Sequence, residues 1–312
     1  MCLLLFPVWG FSQMTEITAQ LTENPGNLNA YVHEPFKKPN GNMPLVLVLH
    51  GCNQTAADIA LGSGWNELAD SLGFLVLYPE QKTTNNLFRC FNWFLKDDQE
   101  KDKGEMASIR QMMWYAIAHY PVDPSRVYIY GVSAGAAMSV NFMVCYPDKL
   151  KSGAILAGTA YKQVDQPMKS FAEMRQPTSF PEDVLRQRLY SQDSLYTGEF
   201  PQLIVVHGTG DKVVNYGNGE VLVKQWKTAF QIASETEQKV NTSPNSPVII
   251  RKDFKDARNR SVIIFYTAEG WGHYLMIDPG PGPKQGGTVT KHALDGDFFS
   301  TYEIAKDWNL VP

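Results

Sequence analysis

The chain has 312 residues, 44% of them hydrophobic and 19% charged, with a formal net charge of −4. That balance describes a globular protein long enough for one large core. With no lysine or arginine cluster, neither nucleic acid nor an anionic membrane surface is an expected partner.

The N-terminus, "MCLLLFPVWGFSQ", is a short apolar stretch with small residues Gly10 and Ser12 placed for a cut before Gln13. It reads as a signal peptide over residues 1–12, with an ordinary buried N-terminal strand as the alternative. No run of 18 apolar residues follows, so no membrane anchor is expected. The remainder, 13–312, is expected to form one catalytic domain. Without Cys2, three cysteines remain, Cys52, Cys90 and Cys145; in an oxidising compartment two of them can pair.

"MTEITAQL" and "LNAYVHEP", separated by Pro25 and Gly26, predict an antiparallel hairpin that opens a sheet. Apolar, β-branched runs then recur at 44–51, 73–80, 126–131, 153–158, 202–208 and 261–267 and predict buried strands. Between them, Met106, Ile109, Met113, Ile117 and Tyr120 mark the apolar face of one helix, and "SAGAAMSVNFMVCY" begins another directly after a strand. Strand alternating with helix implies an α/β fold, a mostly parallel sheet with helices on both faces. Residues 159–201, polar and weakly periodic with Pro167, Pro177 and Pro181, form an insertion that is either a cap or surface decoration.

"GVSAG", residues 131–135, fits G-x-S-x-G with a strand before it and a helix after it. A serine on such a sharp turn projects its Oγ above the sheet, which is the nucleophile position of an α/β-hydrolase. A serine hydroxyl is a poor nucleophile at neutral pH and needs a base, and the base needs an acid to orient it. In this fold the acid comes before the histidine in the chain. Asp211, just past a strand in "QLIVVHGTGDKVV", and His273, past the last long strand in "SVIIFYTAEGWGHYL", satisfy that order. Asp278 competes as the acid but lies only five residues beyond His273.

Of the other histidines, His33, His119 and His292 read as structural or exposed, while His50 and His207 precede glycines at strand ends and face the same rim. No C-x-x-C or H-E-x-x-H spacing accompanies them, so neither a metal nor any other cofactor is expected. Acyl transfer also needs N–H donors for the negative oxygen, each worth about 3 kcal/mol when well aimed. The amide of Ala134 is one expected donor; the other belongs to Cys52, in the loop opened by "HG" at 50–51. His50, Trp93 and Trp271 are the expected substrate contacts, the two tryptophans as a pocket wall near the catalytic loops, and Trp65 is assigned to the core. Cys145 is expected to be a buried free thiol.

The strings "LHGCNQTAADIA", "LYPEQ", "RCFNWF", "VDPSRVYIYGVSAGAAMS", "YPD", "HGTGDKVVNYGN" and "GWGHY" together resemble the polyhydroxybutyrate depolymerase family of esterases, which includes feruloyl and acetylxylan esterases. The resemblance implies an α/β-hydrolase with Ser133, Asp211 and His273 as triad, oxyanion donors at Cys52 and Ala134, and a Cys52–Cys90 disulfide. "GAAM" stands where "GGAM" is more usual, and after His273 the chain continues "YLMIDPGPGPKQGG" in place of an Ala-Trp-Pro type of string. The chain ends soon after one terminal helix, so soluble or plant-wall esters are expected substrates ahead of crystalline polymer. The expected function is a secreted or periplasmic serine esterase acting on feruloyl or acetyl esters of plant polysaccharide. Hydroxybutyrate oligomers or another polyester come second. A peptidase, or a catalytically silent carbohydrate-binding protein on the same fold, are the readings from other classes.

Overall fold

A computed structural model of the chain describes residues 14–164, 167–240, 243 and 246–311; the expected signal segment and Cys2 lie outside them. The layers follow from alternation along the apolar runs. In strand β3, Met43–Leu49, the side chains of Leu45, Leu47 and Leu49 enter one core and those of Val46 and Val48 the other. Both faces of the strand are therefore buried, as a parallel sheet requires.

The strands before and after it are β1 (Thr15–Glu16), β2 (Asn29–His33), β4 (Leu75–Glu80), β5 (Val122–Val132), β6 (Ser152–Leu156) and β7 (Gln202–Gly208). They are followed by β8 (Ser234–Lys239), β9 (Ile249–Lys255) and β10 (Ser261–Ala268). Among the described residues these form one ten-stranded sheet in the order β1-β2-β4-β3-β5-β6-β7-β10-β9-β8. The six central strands run parallel, and antiparallel pairs close both edges. All six expected buried strands are present, as is the opening hairpin.

The β8–β9 edge was not legible, because "SETEQK" is polar throughout and every side chain of β8 is exposed. Its charges pair outward, Glu235 with Lys227 at 2.6 Å and Glu237 with Lys252 at 3.0 Å. A charged edge strand of this kind discourages pairing with another chain.

One face is covered by α3 (Gly104–His119), α4 (Ala134–Cys145), α6 (Glu182–Leu189) and α7 (Gly217–Lys227). The other is covered by α1 (Ala56–Ser63), α2 (Trp65–Leu72) and α8 (Ser300–Asp307). Trp65 lies in that second core, stacked on Trp308. The insertion contributes the short α5 (Ser170–Arg175) and α6. Its first part meets the loop after β7, where the Asn215 amide donates to the Met174 carbonyl at 2.7 Å. Its second part packs on α7, with Gln225 bonded to the Tyr161 backbone and to the Leu185 carbonyl. The segment thus lies beside the C-terminal ends of the strands and then runs away from them along the flank.

Candidate active site

Ser133 occupies the turn between β5 and α4 with φ 56° and ψ −119°. A non-glycine residue there carries strain of order 1–3 kcal/mol, held by the surrounding structure. The Ser133 amide donates to the Leu156 carbonyl at 2.9 Å, and its own carbonyl accepts from the Ala137 amide at 3.0 Å. The flanking glycines are required by close approach. A Cβ on Gly131 would collide with the Gly135 carbonyl, and one on Gly135 with the carbonyls of Leu49 and His50. The turn is therefore pressed against the end of β3.

Two further loops bring Asp211 and His273 to this turn. Asp211 follows β7 and His273 follows β10, and these strands are neighbours. The loops are tied together: the Gly210 amide donates to the Trp271 carbonyl at 2.9 Å and the Gly270 amide to Thr209 Oγ1 at 2.8 Å. The result is a continuous chain of contacts, with His273 Nε2 3.0 Å from Ser133 Oγ and His273 Nδ1 2.6 Å from Asp211 Oδ2. The second Asp211 oxygen accepts from the amides of Val213 and Val214 at 2.8 and 2.9 Å.

Burial works to raise the Asp211 carboxyl, but the nearby His207 ring, the His273 hydrogen bond and the Val214 amide outweigh it and hold the group well below the usual carboxylate range. His207 Nε2 is 3.6 Å from Asp211 Oδ2, too long for a hydrogen bond. It donates instead to the Val214 carbonyl at 2.8 Å, which fixes the acid loop. With Asp211 ionised, the imidazole proton sits on Nδ1 and leaves Nε2 free to take a proton from the serine.

The loop after β3 lies against the same serine: a Cβ built on Gly51 would stand 3.4 Å from Ser133 Cβ. Among the described residues no hydrogen bond engages the amides of Cys52 or Ala134. His50 is fully buried, which lowers its pKa and keeps it neutral. Its Nε2 accepts from the Gln81 amide at 3.1 Å, so Nδ1 carries the proton and donates to the Gly51 carbonyl at 2.7 Å. That carbonyl and the Cys52 N–H belong to one planar trans peptide and point in opposite directions. Holding the oxygen aims the N–H.

At His50, expected as a substrate contact, both ring nitrogens are engaged internally, and the ring packs on Phe91 at 4.9 Å. Trp93, expected in the pocket wall, is held inside the protein. Its carbonyl is pinned to α4 by Asn141 Nδ2 at 2.9 Å, and its side chain is buried in the core. Trp271 alone of the three lines a cavity beside His273, together with Val132, Leu156, Tyr274, Leu275 and Met276. That cavity is only about 30 Å³. A wider groove, about 1360 Å³, lies at the N-terminal ends of β7 and β10 and contains none of the triad.

Cys52 and Cys90 are joined in a disulfide, and Cys145 is buried and free. Asp278 belongs elsewhere, within 4.8 Å of Asp295 and Asp297, and accepts from Gln285. Among the described residues this acidic trio, remote in role from Ser133, is the grouping with metal-ligand spacing.

The family described as esterase PHB depolymerase matches residues 31–240. Poly(3-hydroxyalkanoate) depolymerase C of Paucimonas lemoignei is 35% identical over 288 residues, covering 92% of this chain and 68% of that protein. An acetylxylan esterase of Coprinopsis cinerea is 28% identical, covering 84% of this chain and 69% of its own. Among solved structures, the acetyl xylan esterase from Aspergillus awamori superimposes with a TM-score of 0.74 at 22% identity, over 84% of this chain and 94% of that one. The last likeness concerns the fold, an α/β-hydrolase.

Proposed function

The chain belongs to the esterase PHB depolymerase family of carboxylic ester hydrolases, and on that premise we propose that it works through an acyl-enzyme formed on Ser133. The observation that carries this reading is the unbroken Ser133–His273–Asp211 chain at 3.0 and 2.6 Å. His273 Nε2 takes the Oγ proton as Oγ bonds to the ester carbonyl carbon, and the carbonyl oxygen becomes negative between the Cys52 and Ala134 amides. The carbonyl then re-forms, the bond to the alcohol breaks, and the alcohol leaves with the proton from His273. Water repeats the sequence on the acyl-enzyme and releases the acid. Asp211 remains ionised throughout and supports the imidazolium.

The substrate we favour is a hydroxyalkanoate chain. Supporting it is the relative at 35% identity, together with a collar of exposed apolar residues on the loops at the C-terminal end of the parallel strands. Leu87, Phe88, Met168, Phe171, Val213 and Tyr274 are exposed large hydrophobics among the described residues. All lie on segments that follow the C-terminal ends of parallel strands, the end where Ser133 sits. With the cavity beside His273 at about 30 Å³, such a rim suits an extended apolar chain laid across the site better than a single bulky acyl group. The second reading, acetyl or feruloyl esters of plant polysaccharide, is favoured by the acetylxylan esterase relative. Rates on hydroxybutyrate oligomers, acetylated xylan and methyl ferulate, compared side by side, decide between them. The highest kcat/KM on oligomers supports the first; a higher value on either other ester establishes the second.

The collar makes its own prediction. Replacing Leu87 and Phe88 together by serine should lower the ratio of polymer-film to soluble-ester rates roughly tenfold, since two large side chains lose apolar contact. An unchanged ratio would remove the collar from the argument. Among the described residues no helix is long and apolar enough to cross a membrane. A secreted or periplasmic location is supported by the Cys52–Cys90 disulfide, a bond that persists in oxidising compartments.

A further inference from the structure

Glu105, in the first turn of α3, is fully buried, and among the described residues no ion pair engages it. Burial, reinforced by Asp98, raises its carboxyl, and the hydrogen bonds from Asn92 and Gln81 work against that rise. A buried carboxyl without a cation is costly, and neither triad nor core packing calls for one here. What it does hold is specific. Oε1 accepts from Gln81 Nε2 at 2.5 Å and from Asn92 Nδ2 at 2.9 Å, and Oε2 accepts from the Asn92 amide at 3.0 Å.

From these two residues two paths lead to neighbouring peptides of the loop after β3. Along the first, the backbone N–H of Gln81 donates to His50 Nε2, and His50 Nδ1 donates to the Gly51 carbonyl. Along the second, Asn92 Oδ1 accepts from Asn86 Nδ2, and Asn86 Oδ1 accepts from the amides of Phe88 and Cys90. The Phe88 carbonyl accepts from the Asn53 amide at 2.6 Å, and Cys90 is bonded to Cys52. Residues 51 to 53 are thus gripped from both sides by groups anchored on one carboxyl.

We propose that Glu105 and His50 are positioning residues for the oxyanion donor, Glu105 fixing Gln81 and Asn92 so that His50 holds the Gly51–Cys52 peptide with its N–H toward the reacting carbonyl. This rests on the esterase reading of Ser133. The relay has a property a general packing role lacks: it controls one peptide orientation that matters only when the oxygen is negative. Its loss is therefore felt in the transition state and not in substrate binding.

The test compares His50→Asn, whose amide can still donate to the Gly51 carbonyl, with His50→Leu, which cannot, and adds Glu105→Gln, which keeps the shape but faces the Asn92 amide with a donor. The readouts are kcat and KM on p-nitrophenyl acetate and the Ki of an aryl trifluoromethyl ketone, whose hemiketal oxygen mimics the oxyanion. For His50→Leu a fall in kcat of roughly 10²-fold is expected, with KM within about twofold and Ki raised by the same factor as kcat falls. His50→Asn should recover most of that loss, and Glu105→Gln should fall between. Equal kinetics in the asparagine and leucine variants, or losses appearing in KM with Ki unchanged, would overturn the proposal. If Glu105→Gln does not fold, the His50 pair alone decides it. Fluorophosphonate labelling of Ser133 in the wild type separates the two levels: absent labelling sinks the esterase reading, whereas labelling with unresponsive His50 variants sinks only the relay.

Discussion

Replacing Ser133 by alanine should lower kcat on p-nitrophenyl acetate by roughly 10⁴- to 10⁶-fold with little change in KM, because the substituted group acts only in the chemical step. The geometry makes the size of this loss predictable. His273 Nε2 already lies 3.0 Å from the hydroxyl, so removing the hydroxyl leaves the base with no nucleophile to activate. A residual rate above water should persist from the Cys52 and Ala134 amides. Asp211→Asn should cost roughly 10⁴-fold, since an amide facing His273 Nδ1 no longer selects the tautomer that leaves Nε2 free. Equal rates in wild type and Ser133→Ala would establish the silent, binding-only reading, and hydrolysis of peptide anilides without ester turnover would establish a peptidase.

The same aspartate has a consequence for stability. Its folded pKa lies below the unfolded value of about 3.9, so its carboxylate stabilises the fold above that pH. That contribution is lost only as the pH falls through the depressed folded value, which places this source of acid sensitivity well below neutrality.

Removing the disulfide by Cys52→Ser with Cys90→Ser should cost about 4 kcal/mol, from closure of a loop whose ends are 38 residues apart. For a chain of this size that corresponds to a fall in Tm of roughly 6 °C. The kcat should fall as well if the loop carries the proposed oxyanion donor, because it then depends on the hydrogen-bonded path alone. Calorimetry with and without reductant checks the first part, and an unchanged Tm would show that the bond is not formed or not constraining. Peptide mapping gives a second measurement. Cys145, buried and pushed up to about 12, should react with iodoacetamide only after unfolding, whereas labelling of Cys52 in the native oxidised protein would contradict the pairing.

Glu105 shows where legibility stopped. It lies four residues before Ile109, and Met112 and Met113 complete the same buried face, so its carboxyl could have been placed in the core by helical spacing. Its partners could not. Gln81 and Asn92 come from segments 24 and 13 residues away in sequence, and their side chains meet it only once β4 and the loop after it are packed on α3. His50 gives the complementary lesson. Its position at a strand end marked the right loop, but the direction of its ring depended on where the Gln81 amide came to lie.

Local chemistry and periodicity encode the alternating strands and helices, the G-x-S-x-G turn with glycines where neighbouring backbone presses close, and the chain order of Ser133, Asp211 and His273. Each follows from short-range sterics or from the side-chain period of a strand or helix. Tertiary structure alone decided what depends on contacts between distant segments. It drew β8 into the sheet against its polar pattern, buried Trp93, turned His50 inward and left a small cavity beside His273. In these cases burial and pairing are properties of the neighbour, and the neighbour is set by the fold.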